Sequence, residues 1–139
     1  MLFLLLISPV ILLAQPTVQW QNCFGGKSNE FPGGMIETRD GGYIMAAQTK
    51  SADGDVTSNH GNYDLWVIKM DAQFSIVWQK TYGGSRDDGA GSILQTPDGG
   101  YIIAASTNSD DGDLKGVFKG DSTQSDIWIL KIDDKGTIA

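Results

Sequence analysis

The sequence predicts an all-β fold built from two copies of one antiparallel four-stranded unit. The first observation is compositional: 15 of the 17 acidic residues are Asp, and the chain carries 18 Gly. Both residue types favour turns over helices. The second observation is internal similarity, because at an offset of 58 residues 18 of the 36 positions in 20–55 are identical. The third is that the apolar runs are short and bounded by turn residues, which is typical of strands.

Size and charge narrow the classes of function. A chain of 139 residues with a net charge of −7 and a pI near 4.4 has the length of one ordinary domain. Nucleic-acid binding needs clustered Lys and Arg. The 10 basic residues against 17 acidic ones therefore argue against a nucleic-acid partner.

Residues 1–14 read MLFLLLISPVILLA and are predicted to be a signal peptide that is cleaved after Ala14. This run is shorter than the about 20 apolar residues that cross a bilayer. No basic residue precedes it, and Leu12 is large for a position near the cleavage site. A membrane anchor or a buried helix is the alternative. We expect an exported protein that is secreted or displayed on the outer cell surface.

The first repeat covers residues 15–74 and the second covers residues 75–139. The offset rises to 62 between Trp66 and Trp128, which places four extra residues between Asp113 and Asp126, in an exposed loop. Each copy is predicted to form four strands. These strands cover 17–24, 35–38, 43–49 and 65–70 in the first copy, and 75–82, 92–96, 101–107 and 127–132 in the second.

The second and third strands of each copy are joined by Thr-x-Asp-Gly-Gly, at 38–42 and 96–100. This pattern predicts a tight hairpin, because Asp and Gly accept positive φ.

The runs 65–68 and 101–105 are apolar without alternation, so both faces of each sheet must be covered. Four-stranded sheets that cover one another are blades of a β-propeller, and two propeller-like blades are the predicted fold. A parallel β-solenoid is the alternative, although its coils lack antiparallel hairpins.

Four motifs of the second copy characterise the repeat. They are Trp-Gln-Lys-Thr-Tyr-Gly-Gly at 78–84, Thr-Pro-Asp-Gly-Gly-Tyr at 96–101, Ser-Asp-Asp-Gly-Asp at 109–113 and Asp-Ile-Trp-Ile-Leu-Lys-Ile-Asp at 126–133. The repeat resembles the Trp- and Gly-rich tandem units, about sixty residues long, of secreted bacterial β-propeller surface proteins, particularly those of Bacteroidota. The resemblance implies further repeats and indicates no reaction, because one fold hosts many functions.

The 62-residue offset places the first Trp of a third copy at position 140, directly after Ala139. A propeller needs about 4 to 8 blades to close. We therefore expect the chain to be a fragment of a larger β-propeller that stops before its third blade. A natural two-blade protein that closes by oligomerising is the alternative. The expected partners are further blades of the same protein, or other copies that associate through open sheet faces, with a glycan or a protein as ligand.

The best candidate for a ligand site is Ser-x-Asp-Gly-Asp, at 51–55 and 109–113. Calcium takes six to eight oxygen ligands, and closely spaced Asp side chains around a Gly can supply several. The alternative, which we favour, is an Asx turn in which Asp caps its own backbone, because no Glu completes the calcium loop. The calcium hypothesis assigns the site to Asp53, Asp55, Asp111 and Asp113.

Other polar and aromatic residues are expected to be structural. Asp64 and Asp126 each precede a strand Trp by two positions, where they bond backbone amides and do not line the mouth of a channel. His60 is expected in a solvated loop, without partners for a catalytic triad or a zinc site. Cys23 is expected to be small and buried. The four tryptophans are expected to pack between sheets and not to stack on sugars.

These observations favour an exported protein that is not an enzyme and has a structural or recognition role, as an adhesion or scaffold segment. Two alternatives stay open. One is part of a propeller enzyme whose catalytic residues lie in missing blades. The other is a calcium-dependent glycan-binding module.

Overall fold

The computed structural model describes residues 16–117 and 123–139, which form seven β-strands. Within these ranges there is no α-helix, and no helix is long and apolar enough to cross a membrane. The predicted signal peptide, residues 1–14, and the centre of the predicted insertion loop, residues 118–122, lie outside the described residues. The strands are β1 (Glu30–Glu37), β2 (Tyr43–Thr49), β3 (Asp64–Met70), β4 (Ile76–Tyr82), β5 (Asp88–Gln95), β6 (Tyr101–Thr107) and β7 (Asp126–Ile132).

The strands form two antiparallel sheets, which confirms the predicted all-β class. The first sheet has the order β1-β2-β3-β4, and the second has the order β5-β6-β7. The two predicted hairpins are confirmed as β1–β2 and β5–β6. In the first hairpin the Thr38 amide donates to the Gly42 carbonyl at 2.8 Å, and Gly41 has a φ of 78°, a conformation that glycine adopts without strain.

The sheets do not coincide with the sequence repeats. Strand β4 belongs to the second repeat, yet it pairs with β3 in the first sheet. The strand predicted at 17–24, the counterpart of β4, is wrong: this segment is irregular, because no strand precedes it among the described residues to offer a ladder of hydrogen bonds. The second sheet has three strands and not the predicted four. Only Ile138 pairs with Ile132, at the position where a fourth strand would begin.

The two sheets pack face to face around a shared core. Their backbones come close where β1 lies against β5: a Cβ atom at Gly33 would lie 2.8 Å from the carbonyl oxygen of Gly91. Because glycine has no Cβ atom, the backbones of the two sheets can approach each other this closely. The buried apolar side chains of this core include Ile44, Ala46, Leu65 and Val67 of the first sheet and Ile93, Ile103, Trp128 and Leu130 of the second.

The opposite face of the first sheet is covered only in part by the chain that precedes β1, and Met35 on this face is 46% exposed. Phe24 packs against a buried cluster around Trp66, and Trp20 stacks on Phe74 with their ring centroids 4.2 Å apart. The predicted burial of Trp66 and Trp128 is confirmed, at 1% and 5% exposure. Burial of Trp20 is wrong, since this side chain is 46% exposed.

Cys23 is exposed, so the prediction of a buried thiol is wrong. It lies in the irregular segment before β1. Its counterpart at the offset of 58 is Thr81, which is buried within the paired strand β4. Burial at this position therefore requires a neighbouring strand, which the sequence of one residue cannot reveal.

Candidate functional site

The four aspartates of the calcium hypothesis fasten one loop to another in each repeat. In the first repeat, Asp53 Oδ1 accepts a hydrogen bond from the Lys27 amide at 2.9 Å, and Asp55 Oδ2 accepts one from the Gly25 amide at 3.0 Å. The Ser51 hydroxyl accepts a third from the Ser28 amide at 2.9 Å. We call this arrangement, in which the loop 51–55 holds the loop 25–28, the first clasp.

The same arrangement recurs at 109–113 and 83–86, which we call the second clasp. Asp111 Oδ1 accepts from the Ser85 amide at 2.7 Å, and Asp113 Oδ2 accepts from the Gly83 amide at 3.0 Å. In return the Asp113 amide donates to the Gly83 carbonyl at 3.0 Å. Gly112 has a φ of 56°, and a Cβ there would lie 2.4 Å from that carbonyl oxygen, so glycine is required at the centre of the motif.

The electrostatics of the clasps follow from these amide donors. The backbone amide of Lys27 is the main cause that lowers the pKa of Asp53, and the backbone amide of Ser85 does the same for Asp111. Hydrogen bonds to a carboxylate favour its charged form. Among the described residues, no group of three or more His, Cys, Asp or Glu side chains is arranged to hold a metal ion. The calcium site stays a prediction. The predicted Asx turn does not describe these side-chain contacts, because the amides that Asp53, Asp55, Asp111 and Asp113 bind belong to another loop, 26 to 30 residues away.

A further carboxylate stands beside each clasp, buried in the second and half-buried in the first, and the sequence analysis missed both. Asp88 Oδ2 accepts from the Gly84 amide at 2.8 Å and from the Ser109 hydroxyl at 2.9 Å, and Oδ1 accepts from the Thr107 hydroxyl. Burial raises the pKa of Asp88 against the opposing effect of these hydrogen bonds. Its counterpart Glu30 accepts from the Thr49 hydroxyl at 2.9 Å. The sequence contained one signal that could have identified this role, because an acidic residue stands at the same position of both repeats.

Asp64 begins β3 and is completely buried. Its Oδ2 accepts from the His60 amide at 2.9 Å and lies 2.5 Å from the His60 Nδ1 atom. The predicted backbone bond is therefore confirmed for Asp64, and His60 is exposed in the loop before β3, as predicted, although its ring pairs with this buried carboxylate. Burial is the main cause that raises the pKa of Asp64, and Oδ1 has no hydrogen-bond partner among the described residues. Asp126, the counterpart, is half-buried and has a partner.

A cleft of about 470 Å³ lies at the other end of the sheets, between the two hairpin turns. Arg39 crosses it: its amide donates to Gln95 Oε1 at 3.0 Å, and its Nη1 donates to the Pro97 carbonyl at 3.1 Å. The lining combines a cation, carboxylates and the ring of Trp78, a combination that suits a polar ligand with an apolar ring face. Sequence reasoning missed this cleft, because it exists only where two sheets meet.

No protein-family model matches the chain, and no curated protein sequence matches it at a significant level.

Proposed function

We propose that the chain is a structural and recognition segment of an exported β-propeller protein, and that it catalyses no reaction. The observation that carries this proposal is the clasp, which occurs once in each repeat. Repeated polar side chains here bind the backbone amides of a neighbouring loop, for example Asp55 with Gly25 and Asp113 with Gly83. Two sheets that repeat the same internal contacts are what adjacent propeller blades require.

The second clasp connects an outer strand to the sheet that follows it. The loop 83–86 comes directly after β4 of the first sheet, and the second clasp ties it to the loop after β6 of the second sheet. The second clasp therefore holds the two sheets together, which is a structural task, and the first clasp holds the irregular segment before β1 to the first sheet in the same way. A catalytic carboxylate must instead face a substrate, and Asp88 has both oxygens occupied by donors of its own chain.

The recognition role is assigned to the cleft between the hairpin turns. Arg39 is exposed there beside Trp78 and Asp71. A guanidinium, a carboxylate and an aromatic face match the hydroxyls and ring faces of a glycan. This assignment needs no calcium, which separates it from a calcium-dependent glycan module.

The clasp is tested by thermal unfolding of Asp113→Ala, with Asp110→Ala as the matched control in the same loop. We expect Asp113→Ala to lose about 1–3 kcal/mol, because it leaves the buried Gly83 amide without its acceptor, and the control to stay within about 0.5 kcal/mol. Both results should be the same in calcium and in chelator. A melting temperature that rises with calcium in the native chain, but not in Asp113→Ala, would instead establish calcium binding.

The recognition role is tested by a glycan array with the native chain and Arg39→Ala. Binding that Arg39→Ala abolishes, without a change in melting temperature, supports the cleft as the site.

Export is tested separately, by expression in a bacterium and N-terminal sequencing of the chain outside the cytoplasm. A processed chain that begins at Gln15 is the expected result, and retention of an intact chain in the cytoplasm contradicts export.

A further inference from the structure

Residues 17–24, which we call the N-terminal arm, have the sequence of a fourth strand but lie outside both sheets. At the offset of 58, Trp20, Gln21 and Phe24 of the arm correspond to Trp78, Gln79 and Tyr82 of β4. Within the described residues the arm has no ladder of strand hydrogen bonds, and Val18 and Trp20 are exposed. The arm therefore has the side chains of an outer strand and an unused backbone.

The arm packs against the first sheet in the same way that β4, the outer strand of the first sheet, packs against the second sheet. Trp20 stacks on Phe74, and its counterpart Trp78 lies against Gly136, where a Cβ would come within 3.0 Å of the Trp78 ring. Phe74 and Gly136 are equivalent at the offset of 62, and both have positive φ, 61° and 75°. The clasps hold both segments at their ends. The arm is thus positioned as the outer strand of a sheet that would pack on the first sheet.

Among the described residues, the second sheet has no such outer strand. Strand β3 pairs along its length with β4, whereas on the corresponding edge of β7 Ile138 pairs with Ile132 and the Ala139 amide donates to the Lys131 carbonyl at 3.0 Å. An open edge of unpaired backbone groups is a template for another strand. Beside this edge, Ile127 and Ile129 are 84% and 60% exposed.

The two open sheet faces match as well. The exposed face of the second sheet carries Leu94, Ile127 and Ile129, the counterparts of Ile36, Leu65 and Val67, which belong to the core between the sheets. The open face of the first sheet carries Met35 and Met45, the counterparts of Ile93 and Ile103 on the other side of that core. The chain therefore contains one complete interface and exposes both halves of a second.

We propose that the partner for these surfaces is a second copy of this chain, joined head to tail. Residues 20–24 of one copy add to β7 of the other as its antiparallel fourth strand, next to Ile138 and Ala139, which already hold the positions equivalent to Val18 and Gln19. The two open faces pack at the same time. Backbone hydrogen bonds and side-chain packing together are the usual basis of strand addition. Because the contact joins unlike surfaces, it forms a ring if the rotation closes and a filament otherwise. The association does not depend on whether the protein is exported.

The pairing of β3 with β4 fixes the register of the new pair. Val67 lies opposite Lys80, and Trp66 donates its indole N–H to Gln79 at 2.7 Å. The equivalent residues are Ile129 and Asn22 for the first pair and Trp128 and Gln21 for the second. Asn22 of one copy should therefore lie directly opposite Ile129 of the other, within the cross-strand distance that a disulfide can bridge.

Cross-linking of the full chain tests this register. Asn22→Cys and Ile129→Cys are made in separate chains that also carry Cys23→Ser, which removes the only native thiol, and the two are mixed and oxidised mildly. Val77→Cys replaces Ile129→Cys in the control mixture, because Val77 has the same 60% exposure. We expect about tenfold more cross-linked dimer than in the control, since cross-strand neighbours meet the geometry of a disulfide. Equal yields overturn the proposal.

Sedimentation of the native chain over a range of concentrations tests the association itself. We expect reversible assembly that Asn22→Pro weakens about tenfold or more, because proline cannot donate to the β7 edge, and that Asn22→Ala leaves unchanged. A native chain that stays monomeric at all concentrations overturns the proposal. Assembly that Asn22→Pro does not weaken also overturns it, because the copies then meet through another surface.

Discussion

The two sheets carry equivalent side chains in the same register, yet one face is core in the first sheet and surface in the second. Leu65 of β3 is 0% exposed, whereas its counterpart Ile127 of β7 is 84% exposed. Both are large aliphatic residues at the start of the third strand of their sheets. The difference arises because the second sheet packs on Leu65 and β4 pairs with its strand. Among the described residues, no sheet packs on Ile127 and no fourth strand lies beside β7. Burial in a repeat fold is thus set by the neighbouring unit and not by the pattern of the residue's own strand.

The same contrast applies to a charged pair. Lys69 contacts Asp40 at 2.9 Å, and Lys131 contacts Asp98 at 2.9 Å. The Lys69 side chain is 7% exposed and the Lys131 side chain is 33% exposed, although the two aspartates are equally exposed. The neighbouring sheet therefore changes the solvation of the cation and leaves the geometry of the pair unchanged.

The largest expected effect comes from truncating the covered and uncovered aliphatic residues. Leu65→Ala should lower the free energy of unfolding by about 2–5 kcal/mol, because it removes buried methyl groups and leaves a cavity. Ile127→Ala should stay within about 0.5 kcal/mol, as an exposed substitution does. Urea unfolding at low protein concentration, where copies are separate, measures both variants. Similar losses in the two variants would show that Ile127 is covered in solution and would remove the contrast between the sheets.

A smaller effect is expected from the two lysines. Lys69→Ala should cost about 1–3 kcal/mol, because Lys69 also donates to the Met70 carbonyl at 3.1 Å, and its loss removes a donor from this buried acceptor. Lys131→Ala should cost less than about 1 kcal/mol, as is usual for an ion pair in contact with water. Urea unfolding of both variants at neutral pH, with and without added salt, is the measurement. If added salt weakens the contribution of Lys69 as much as that of Lys131, the two cations are equally solvated and the contrast fails.

Sequence reasoning succeeded for local features and failed for contacts between units. The hairpins at 38–42 and 96–100 were predictable, because Asp and Gly determine the turn within five residues. The exchange of β4 into the first sheet was not predictable, because the repeat has the same sequence wherever the sheet boundary lies. The clasps were found as a motif with two interpretations, and neither of them identified the amides of 25–28 and 83–86 as the partners of the aspartates, because those amides lie 26 to 30 residues away. Exposure of Cys23 required knowledge of a missing neighbouring strand.

The smallest effect is expected where the two copies do not differ, in the turns that hold Asp40 and Asp98. The Thr38 hydroxyl, Lys69 and the Gly42 amide lower the pKa of Asp40 from 3.8 to about 2. The Thr96 hydroxyl, Lys131 and the Gly100 amide lower the pKa of Asp98 from 3.8 to about 2. A carboxyl whose pKa is lower in the folded state stabilises the fold above its unfolded pKa. That contribution is lost as the pH falls from 3.8 to about 2.

Asp40→Asn and Asp98→Asn should therefore each reduce, by a similar small amount, the fall in melting temperature of the native chain between pH 4 and pH 2. The buried carboxyls do not obscure this window, because the pKa values of Asp64 and Asp88 are raised and their effect on stability lies above pH 3.8, with the opposite sign. Equal effects are expected because each carboxyl is held by the same kinds of donor, a Thr hydroxyl, a Lys ammonium group and a Gly amide. A clearly larger effect at Asp40 would mean that the cover over Lys69 reaches the turn, so that the influence of the neighbouring sheet extends beyond the apolar face.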